Sequence, residues 1–314
     1  MLTTTNAVTS SSEMPCTTAK SFDAAALTSA EPSPLRLNAR STTADSAISD
    51  AMVMPLTVVI GIAVFVAILG PAIAPHDPND SNLNNAYIGP SADHLLGFDG
   101  QGRDLFSRLL AGSRTAILGP AAVVGLALLA GIVLAVVAAW RGGWLDSGIS
   151  IAMDLLFAFP GILLAVLAAA VFGPSLTAAA LSLAVAYTPY VARVLRSAAV
   201  RERAREYIAA CEVQGLSAWA ICGRHLVPNV APLIVAQGTL LFAYAMVDLA
   251  AVSFIGLGVQ APQSDWGVMV GTGQPGVLQG YPEESLAAGL SIVVVVVAVN
   301  LLGERLAQRH QERR

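Results

Sequence analysis

Lysine is almost absent from this sequence of 314 residues: Lys20 is the only one, against sixteen arginines. A P-loop needs a lysine after its glycines to reach the phosphates of a nucleotide. Lys20 stands in CTTAKSF, without a glycine run, and the motifs HExxH, CxxC and GxSxG are absent as well. We therefore predict that the chain is not an enzyme and holds no cofactor or metal ion of its own.

Cysteine, histidine and charge are also scarce. The three cysteines, Cys16, Cys211 and Cys222, lack the number and spacing of a disulfide framework or a zinc site. The four histidines are scattered along the chain, so we expect no metal cluster from them. GTGQPG at residues 271–276 matches a dinucleotide-binding pattern but follows no predicted strand, and we interpret it as a chance match. The formal net charge of −4 gives no indication of nucleic-acid binding.

Apolar residues are what the chain has in abundance. They make up 55% of the sequence, and the mean hydropathy is +0.66. A helix needs about 20 apolar residues to cross a membrane, and six runs approach this length: residues 53–74, 115–139, 149–172, 175–191, 228–255 and 285–303. Because these runs are apolar all round rather than on one stripe, a soluble bundle is excluded. We predict an all-α polytopic membrane protein with six transmembrane helices.

The segments between the runs define the organisation. Residues 1–50 are rich in Ser, Thr and Ala, and we expect a disordered tail there, with Met52 or Met54 as alternative starts. Residues 51–314 form the predicted six-span domain. Arginine placement puts both termini in the cytosol, since only Arg103, Arg108 and Arg114 then lie outside. This topology places an amphipathic segment (94–114) and a loop (256–284) outside, and a polar elbow (202–228) in the cytosol.

The elbow has the signals of two short helices. EYIAACEVQGLSAWAICGRHLVPN, residues 206–229, is polar and lies between two apolar runs. Gly215 is suited to end the first helix in the left-handed region, Ser217 to cap the second, and Pro228 to the first turn of the fifth span. Three arginines before the elbow are candidates for anionic lipid headgroups or carboxylates of a partner: Arg201, Arg203 and Arg205.

Three blocks in fixed order carry a family resemblance. They are HLLGFDGQGRDLFSRLLAGSR at residues 94–114, the elbow, and VSFIGLGVQAPQSDWGVMV at residues 252–270. Together with six spans, they resemble the inner-membrane permease subunits of ABC importers of the dipeptide and oligopeptide class (DppC/OppC type). The resemblance covers the chain from about residue 50 to its end. It implies the MetI-like fold of type I importer permeases.

The elbow resembles the EAA loop of this family, which docks into a groove on the ATPase. Ala209 stands at the position of the Glu of EAA, and Cys211 at that of the second Ala, whereas the surrounding EY, RH and PN pairs match the peptide-type form. Small side chains allow the first helix to approach a groove closely. The resemblance implies a coupling role for these residues: Glu206, Tyr207, Ala209, Ala210, Cys211, Gly215, Arg224, His225 and Pro228.

The two outer blocks imply structural or gating roles. Asp99, Arg103 and Asp104 could form a small charge cluster, and residues 103–110 have the pattern of a short helix lying on the outer interface. Phe98 replaces the usual Thr of the family. At the other block, we expect that Gly256 and Gly258 break the fifth span and that Trp266 lies at the membrane interface.

Two residues inside the spans are pathway candidates. Pro160, in FAFPG, is predicted to kink the third span. Asp248 in the fifth span is costly to bury in a membrane, which makes it a functional candidate, although a partnered structural carboxylate is equally consistent with the sequence.

The resemblance implies half of the pathway of an ATP-driven peptide importer in a bacterial plasma membrane. The implied partners are a homologous permease (DppB/OppB-like), two ABC ATPase subunits that hold ATP and Mg²⁺, and an extracytoplasmic solute-binding protein. The same machinery could carry nickel complexes, glutathione or another small solute. Two other classes stay open: an ion-coupled secondary transporter using Asp154 and Asp248, and a membrane scaffold.

Overall fold

The computed structural model describes residues 39–312, with side chains over residues 55–305. Eleven α-helices are present in this part of the chain, and it contains no β-strand. In chain order they are α1 (Ala39–Ile73), α2 (Leu105–Arg141), α3 (Gly143–Phe157), α4 (Gly161–Phe172), α5 (Leu176–Arg203), α6 (Glu206–Val213), α7 (Ala218–Ile221), α8 (Val227–Phe254), α9 (Trp266–Thr272), α10 (Gln274–Leu278) and α11 (Glu283–Glu312).

Five helical segments are long and apolar enough to cross a membrane. They are Pro55–Ile73, Leu105–Arg141, Leu176–Arg203, Ala218–Phe254 and Glu283–Arg305. The pair α3 and α4 passes the same test when both are taken together, although it is bent by 80°. The prediction of an all-α membrane protein with six spans is thus confirmed, with the third span broken.

The helix that contains the first span, α1, starts earlier than the sequence indicated. We expected a disordered tail through residue 50, whereas residues 39–50 belong to α1. Adding residues to an existing helix is far cheaper than nucleating a new one, so the apolar span can extend into the polar segment before it. The rest of the predicted tail, residues 1–38, lies outside the described residues.

The predicted interfacial helix at residues 103–110 is wrong as a separate element. Asp104 caps α2 by accepting a hydrogen bond from the Ser107 amide at 2.8 Å, and the helix then continues without a break to Arg141. Ser107, Arg108 and Ser113 are buried. The polar residues of this segment therefore face the protein interior, and the segment is the first part of the second span.

The third span is broken rather than kinked. Pro160 does not lie inside a helix: it is the N-cap of α4, with φ −58° and ψ 132°. Proline disfavours helical geometry in the residue before it, so α3 ends at Phe157 and the chain turns before Gly161. At the far end of α4, Gly173 takes a φ of +85° and Ser175 caps α5, so the chain enters the fourth span after a short turn.

The core is formed mainly by α2, α5 and α8. Small side chains allow α2 and α5 to approach closely: a Cβ on Gly131 would lie 2.4 Å from Cγ1 of Val191. Such close backbone approach is typical of helix packing in membranes. The bulky members of this core are Val123, Leu183, Leu195, Leu241, Leu249 and Val252. A second cluster, which includes Ala67, Leu105, Met246, Met269 and Val295, joins α1, α9 and α11 to α2 and α8.

Candidate coupling elbow and transport cavity

The elbow consists of two short helices, as predicted. Helix α6 ends before Gly215, which takes a φ of +77°. Ser217 then caps α7 by accepting a hydrogen bond from the Ala220 amide. A π-helical turn, Cys222–Leu226, leads directly into α8, whose first turn contains Pro228. The local signals of glycine, serine and proline were therefore sufficient to predict this segment.

A buried glutamate holds the two ends of the elbow together. Glu202, 6% exposed, lies in the last turn of α5. Its Oε1 accepts hydrogen bonds from the Tyr207 hydroxyl at 2.7 Å and from Nδ2 of Asn229 at 3.0 Å. Asn229 also donates to the Tyr207 oxygen at 2.7 Å, and Nε of Arg205 pairs with Oε2 at 3.0 Å. The network joins α5, α6 and α8.

The Tyr207 hydroxyl stays protonated and acts as a donor in this network. Burial, followed by the bond to Glu202, raises the pKa of this hydroxyl. Sequence reasoning missed Glu202, because it lies within the polar run RERARE and has no motif of its own. The family-type Tyr207 and Asn229 are its partners, and their match could have pointed to an acceptor between them.

A second anchor fixes the end of α5 to the end of α2. The Arg203 guanidinium donates to the carbonyl oxygen of Ala139 at 2.8 Å and to that of Trp140, and it lies over the Trp140 ring at 4.8 Å. A cation is favourable where the last carbonyls of a helix are free. Arg203 and Arg205 thus have partners within the chain, while the side chain of Arg201 is exposed.

The tip of the elbow exposes large apolar side chains. Val213 is 89% and Trp219 is 81% exposed, and Leu216 lies between them at 42%. A Cβ at Gly215 would meet nothing within 4 Å. Of the predicted coupling residues, these are also exposed: Glu206, Ala209, Ala210, Gly215, Arg224 and Pro228. The elbow therefore presents an apolar surface that the described residues, 55–305, do not cover.

The remaining predicted coupling residues are partly enclosed. Cys211 and His225 are half-buried, and the His225 ring meets the edge of the Tyr207 ring at 6.4 Å between centroids. Tyr207 and His225 thus lie towards the body of the protein. Val213 and Trp219, which were not among the predicted coupling residues, stand out at the exposed tip.

The opposite end of the bundle, which we call the loop end, contains a buried charge cluster. Arg103 Nε lies 2.6 Å from Asp99 Oδ2, and Arg108 Nε lies 3.5 Å from the same oxygen. All three side chains are at most 3% exposed. The predicted pair of Asp99 and Arg103 is present. Arg108 is an additional member, and Asp104 turns elsewhere.

Asp104 instead meets two histidines. Its Oδ1 lies 2.9 Å from Nδ1 of His94, and its Oδ2 lies 3.8 Å from Nδ1 of His76. The expectation that the histidines stay apart was therefore wrong for this pair, because the loop from residue 74 to 104 folds back on itself. Ligand atoms of the three residues lie within 4.8 Å of one another, a set that could hold a divalent metal.

In this structure hydrogen bonds account for the arrangement of Asp104. Burial alone would raise the pKa of this carboxyl, but the hydrogen bonds from Ser107 and from His94 outweigh it and hold the pKa below its usual range. The carboxylate is therefore kept ionised as the cap of α2. The histidines brace the loop against that cap.

Trp266 is buried against α2. It is only 5% exposed, and its Nε1 donates to the Leu109 carbonyl at 2.9 Å. Next to it, Asp265 caps α9 and accepts a hydrogen bond from the Thr115 hydroxyl at 2.8 Å, while burial raises the pKa of its carboxyl. Both residues fasten the loop after α8 to α2, and the position of Trp266 at the membrane interface stays a prediction.

The glycines before this loop end the fifth span as predicted. Helix α8 stops at Phe254, and Gly256 takes a φ of +78°. A Cβ at Gly258 would lie 2.4 Å from Oγ of Ser253. The turn therefore requires both a left-handed residue and a position without a side chain.

The two pathway candidates line one cavity. Its volume is about 420 Å³, and it lies beside the break between α3 and α4. Pro160 lines it from the break, and Asp248 lines it from α8. The Tyr187 hydroxyl, on α5, donates to Oδ2 of Asp248 at 2.6 Å. The other lining residues are Phe157, Phe159, Gly161, Ala186, Tyr190, Leu241 and Tyr244.

This architecture is that of a multi-pass membrane protein, with five to six apolar helices and an elbow between two of them. Residues 127–314 match the family described as "Binding-protein-dependent transport system inner membrane component". The match covers more than half of the chain, which therefore belongs to this family.

Similar proteins support the assignment. The chain is 37% identical over 244 residues to the dipeptide transport system permease protein DppC of Alkalihalophilus pseudofirmus, covering 77% of this chain and 80% of that protein. It is 35% identical over 254 residues to the probable D,D-dipeptide transport system permease protein DdpC of Escherichia coli, covering 80% and 85%. A chain of the MetNI methionine ABC transporter, in an inward-facing conformation, has the same fold, with a TM-score of 0.53 and 19% identity over 64% of this chain and 95% of that chain.

Proposed function

We propose that the chain is one of two permease subunits of an ATP-driven importer for dipeptides or oligopeptides. Support comes from its family and from relatives whose names specify dipeptides. The partners are a homologous permease, two ATPase subunits that bind ATP and Mg²⁺, and an extracytoplasmic solute-binding protein. The termini and the elbow face the cytosol, in agreement with the arginine distribution.

The observation that carries the proposal is the anchored elbow with its exposed tip. Val213, Leu216 and Trp219 offer apolar area for a groove on the ATPase. Buried aromatic anchors contribute most of the binding energy at protein interfaces. Because Glu202 joins α5, α6 and α8, a displacement of the tip is transmitted to two spans at once.

Those two spans also line the cavity. Tyr187 belongs to α5 and Asp248 to α8, and both lie at the break of the third span. In the proposed mechanism, ATP binding closes the ATPases, draws the two elbows together and opens the pathway outward, and hydrolysis resets it. The change is a rigid-body transition between two states whose populations depend on the nucleotide.

The test is to introduce charge at the tip, with Val213→Asp and Trp219→Asp in one chain. We expect normal membrane insertion and normal assembly with the second permease, but loss of ATPase copurification in mild detergent and loss of ATP-driven uptake. The matched control is Leu278→Asp, since Leu278 is 84% exposed at the loop end. An unchanged yield of ATPase with the tip variant would exclude the elbow as the docking surface.

The same experiment separates the rival classes. A secondary transporter would keep ion-driven uptake without any copurifying ATPase, and its activity would not depend on the tip. A scaffold would retain partners but show no nucleotide-dependent uptake of any solute. Identification of the ligand on the copurified binding protein would distinguish peptides from nickel complexes or glutathione.

A further inference from the structure

We propose that the cavity beside the broken third span is a subsite for the protonated amino group of the transported solute, with Asp248 as its counter-ion. The inference rests on the proposed transport function and adds a chemical requirement for the cargo. It assigns Asp248 a role in recognition during passage through the membrane, separate from recognition by the binding protein.

The first observation that supports the subsite is the charge of Asp248. Its carboxylate is half-buried within a transmembrane helix, where an uncompensated charge is costly. Among the described residues, no arginine or histidine forms an ion pair with it. The Tyr187 hydroxyl donates one hydrogen bond to Oδ2. A carboxylate can accept about four, so Asp248, which lines the cavity, can accept further hydrogen bonds from a ligand there.

The cation beside the cavity is already paired. Arg193 lies over the Phe157 ring at 5.2 Å from its centroid, and its guanidinium pairs with Asp154. Arg193 is therefore not the partner of Asp248. Its position shows that a lining ring of this cavity accepts a positive charge on its face.

The second observation that supports the subsite is the aromatic lining of the cavity. Tyr187, Tyr190 and Tyr244 line the cavity together with the carboxylate, and Phe157 and Phe159 line it at the break. Aromatic faces attract cations, most strongly organic ammonium groups that have lost water. The volume of about 420 Å³ falls within the range typical of small-molecule sites.

The lining favours an amine over a metal ion. A hard cation needs several oxygen ligands in fixed geometry, whereas this wall offers one carboxylate and tyrosine hydroxyls among hydrocarbon and aromatic surface. A protonated primary amine needs only one strong acceptor and a weakly polar surface around its carbon atoms. The free amino terminus of a peptide has this chemistry.

The test uses the complex of this chain with its second permease and its ATPases, and the binding protein is added only for the second measurement. First, direct binding of labelled Ala-Phe and of N-acetyl-Ala-Phe is measured on the purified complex without binding protein. For the wild type we expect the free amine to bind at least ten-fold more tightly than the acetylated form. Asp248→Asn should reduce amine binding about ten-fold without changing the acetylated form, and Asp248→Glu should restore the preference. Leu278→Asp serves as the unrelated control.

Second, ATP hydrolysis stimulated by the binding protein checks that the variants are folded and coupled. Three outcomes would overturn the subsite. The first is that Asp248→Asn weakens the binding of both ligands equally while ATP hydrolysis stays normal. The others are that the wild type binds both ligands with the same affinity, or binds neither. Because the binding measurement does not require uptake, the two proposals can fail separately. A wild type that binds amines through Asp248 but imports no peptide would contradict only the peptide function. Proton-driven uptake abolished by Asp248→Asn would contradict both.

Discussion

At the residue scale, the side chain of Glu202 joins three helices. One carboxylate receives donors from α6 and α8 while it belongs to α5. A buried polar network of this kind stabilises the fold when every member has its hydrogen-bond partners. It destabilises the fold when one member is removed. The stiffness of the elbow therefore depends on a residue that does not touch the proposed docking surface.

We predict that Glu202→Ala uncouples the elbow. The substitution leaves the Tyr207 hydroxyl and the Asn229 amide without their shared acceptor, which costs about 1–3 kcal/mol for buried groups. Thermal unfolding in detergent should show the loss of stability. Stimulation of ATP hydrolysis by the binding protein should fall even though the ATPase still copurifies.

The matched control is Glu206→Ala. Glu206 lies four residues further along, in the first turn of α6, but it is exposed. Its removal should change unfolding by a few tenths of a kcal/mol at most, as for other surface positions. Equal effects of the two substitutions would mean that the Glu202 network does not stiffen the elbow.

At the element scale, α3 packs on the outside of the bundle. None of its side chains is buried, and Trp144, Ile151 and Leu155 are at least 66% exposed. Two ion pairs to α5 attach it, Arg196 with Asp146 and Arg193 with Asp154. Because α3 is joined to α4 through the 80° break, it can move without disturbing the core of α2, α5 and α8.

We predict that Asp146→Asn combined with Asp154→Asn releases α3. Exposed pairs contribute about 0.2–1 kcal/mol each, so the global unfolding temperature should change little. Amide exchange over Gly143–Phe157 should become faster, and added salt should speed the same exchange in the wild type by screening the pairs. Asp77→Asn, in the loop after α1, is the control. Unchanged exchange in the double variant would show that other contacts hold α3.

The elements also show how far sequence patterns reach. The six spans, the break at Gly215, the cap at Ser217 and the end of α8 at Gly256 depend on local chemistry, and each was predicted. The burial of Trp266 was not predicted, because it depends on a partner far along the chain, the Leu109 carbonyl that Trp266 meets across 157 positions. The start of α2 at Leu105 was also missed, although its cap, Asp104 on the Ser107 amide, is local.

The site shows the same division. Pro160 and Asp248 were selected separately, one as a helix breaker and one as a charge in a span, and only the fold places them in one cavity. The aromatic lining could not be read from the sequence, because Tyr187, Tyr190 and Tyr244 come from two helices whose relative rotation is set by packing. Glu202 and Arg108 were missed because neither belongs to a motif, and their partners are visible only in the fold.

At the scale of the whole molecule, the proposed transport cycle requires the cavity to change its exposure. We predict that Tyr190→Cys, in a chain without its native cysteines, reacts with a membrane-impermeant thiol reagent from opposite sides in the two nucleotide states. It should be accessible from the binding-protein side when ATP is trapped, and from the cytosolic side without nucleotide. Tyr190 suits this test because it lines the cavity and is 37% exposed.

The control for this experiment is Leu278→Cys, at the end of α10. Its side chain is 84% exposed, so it should react from the binding-protein side in both states. If Tyr190→Cys reacted from the same side whether or not ATP was trapped, the cavity would not be part of an alternating pathway.

The exposed tip of the elbow has a consequence for the life of the chain before assembly. Val213 and Trp219 belong to a surface that is already in place before a partner binds. Association with a partner therefore loses little conformational entropy. The same surface marks every copy that has not found its partner. Large exposed apolar patches are an aggregation liability, so we expect the unassembled chain to be the form that proteases and chaperones remove.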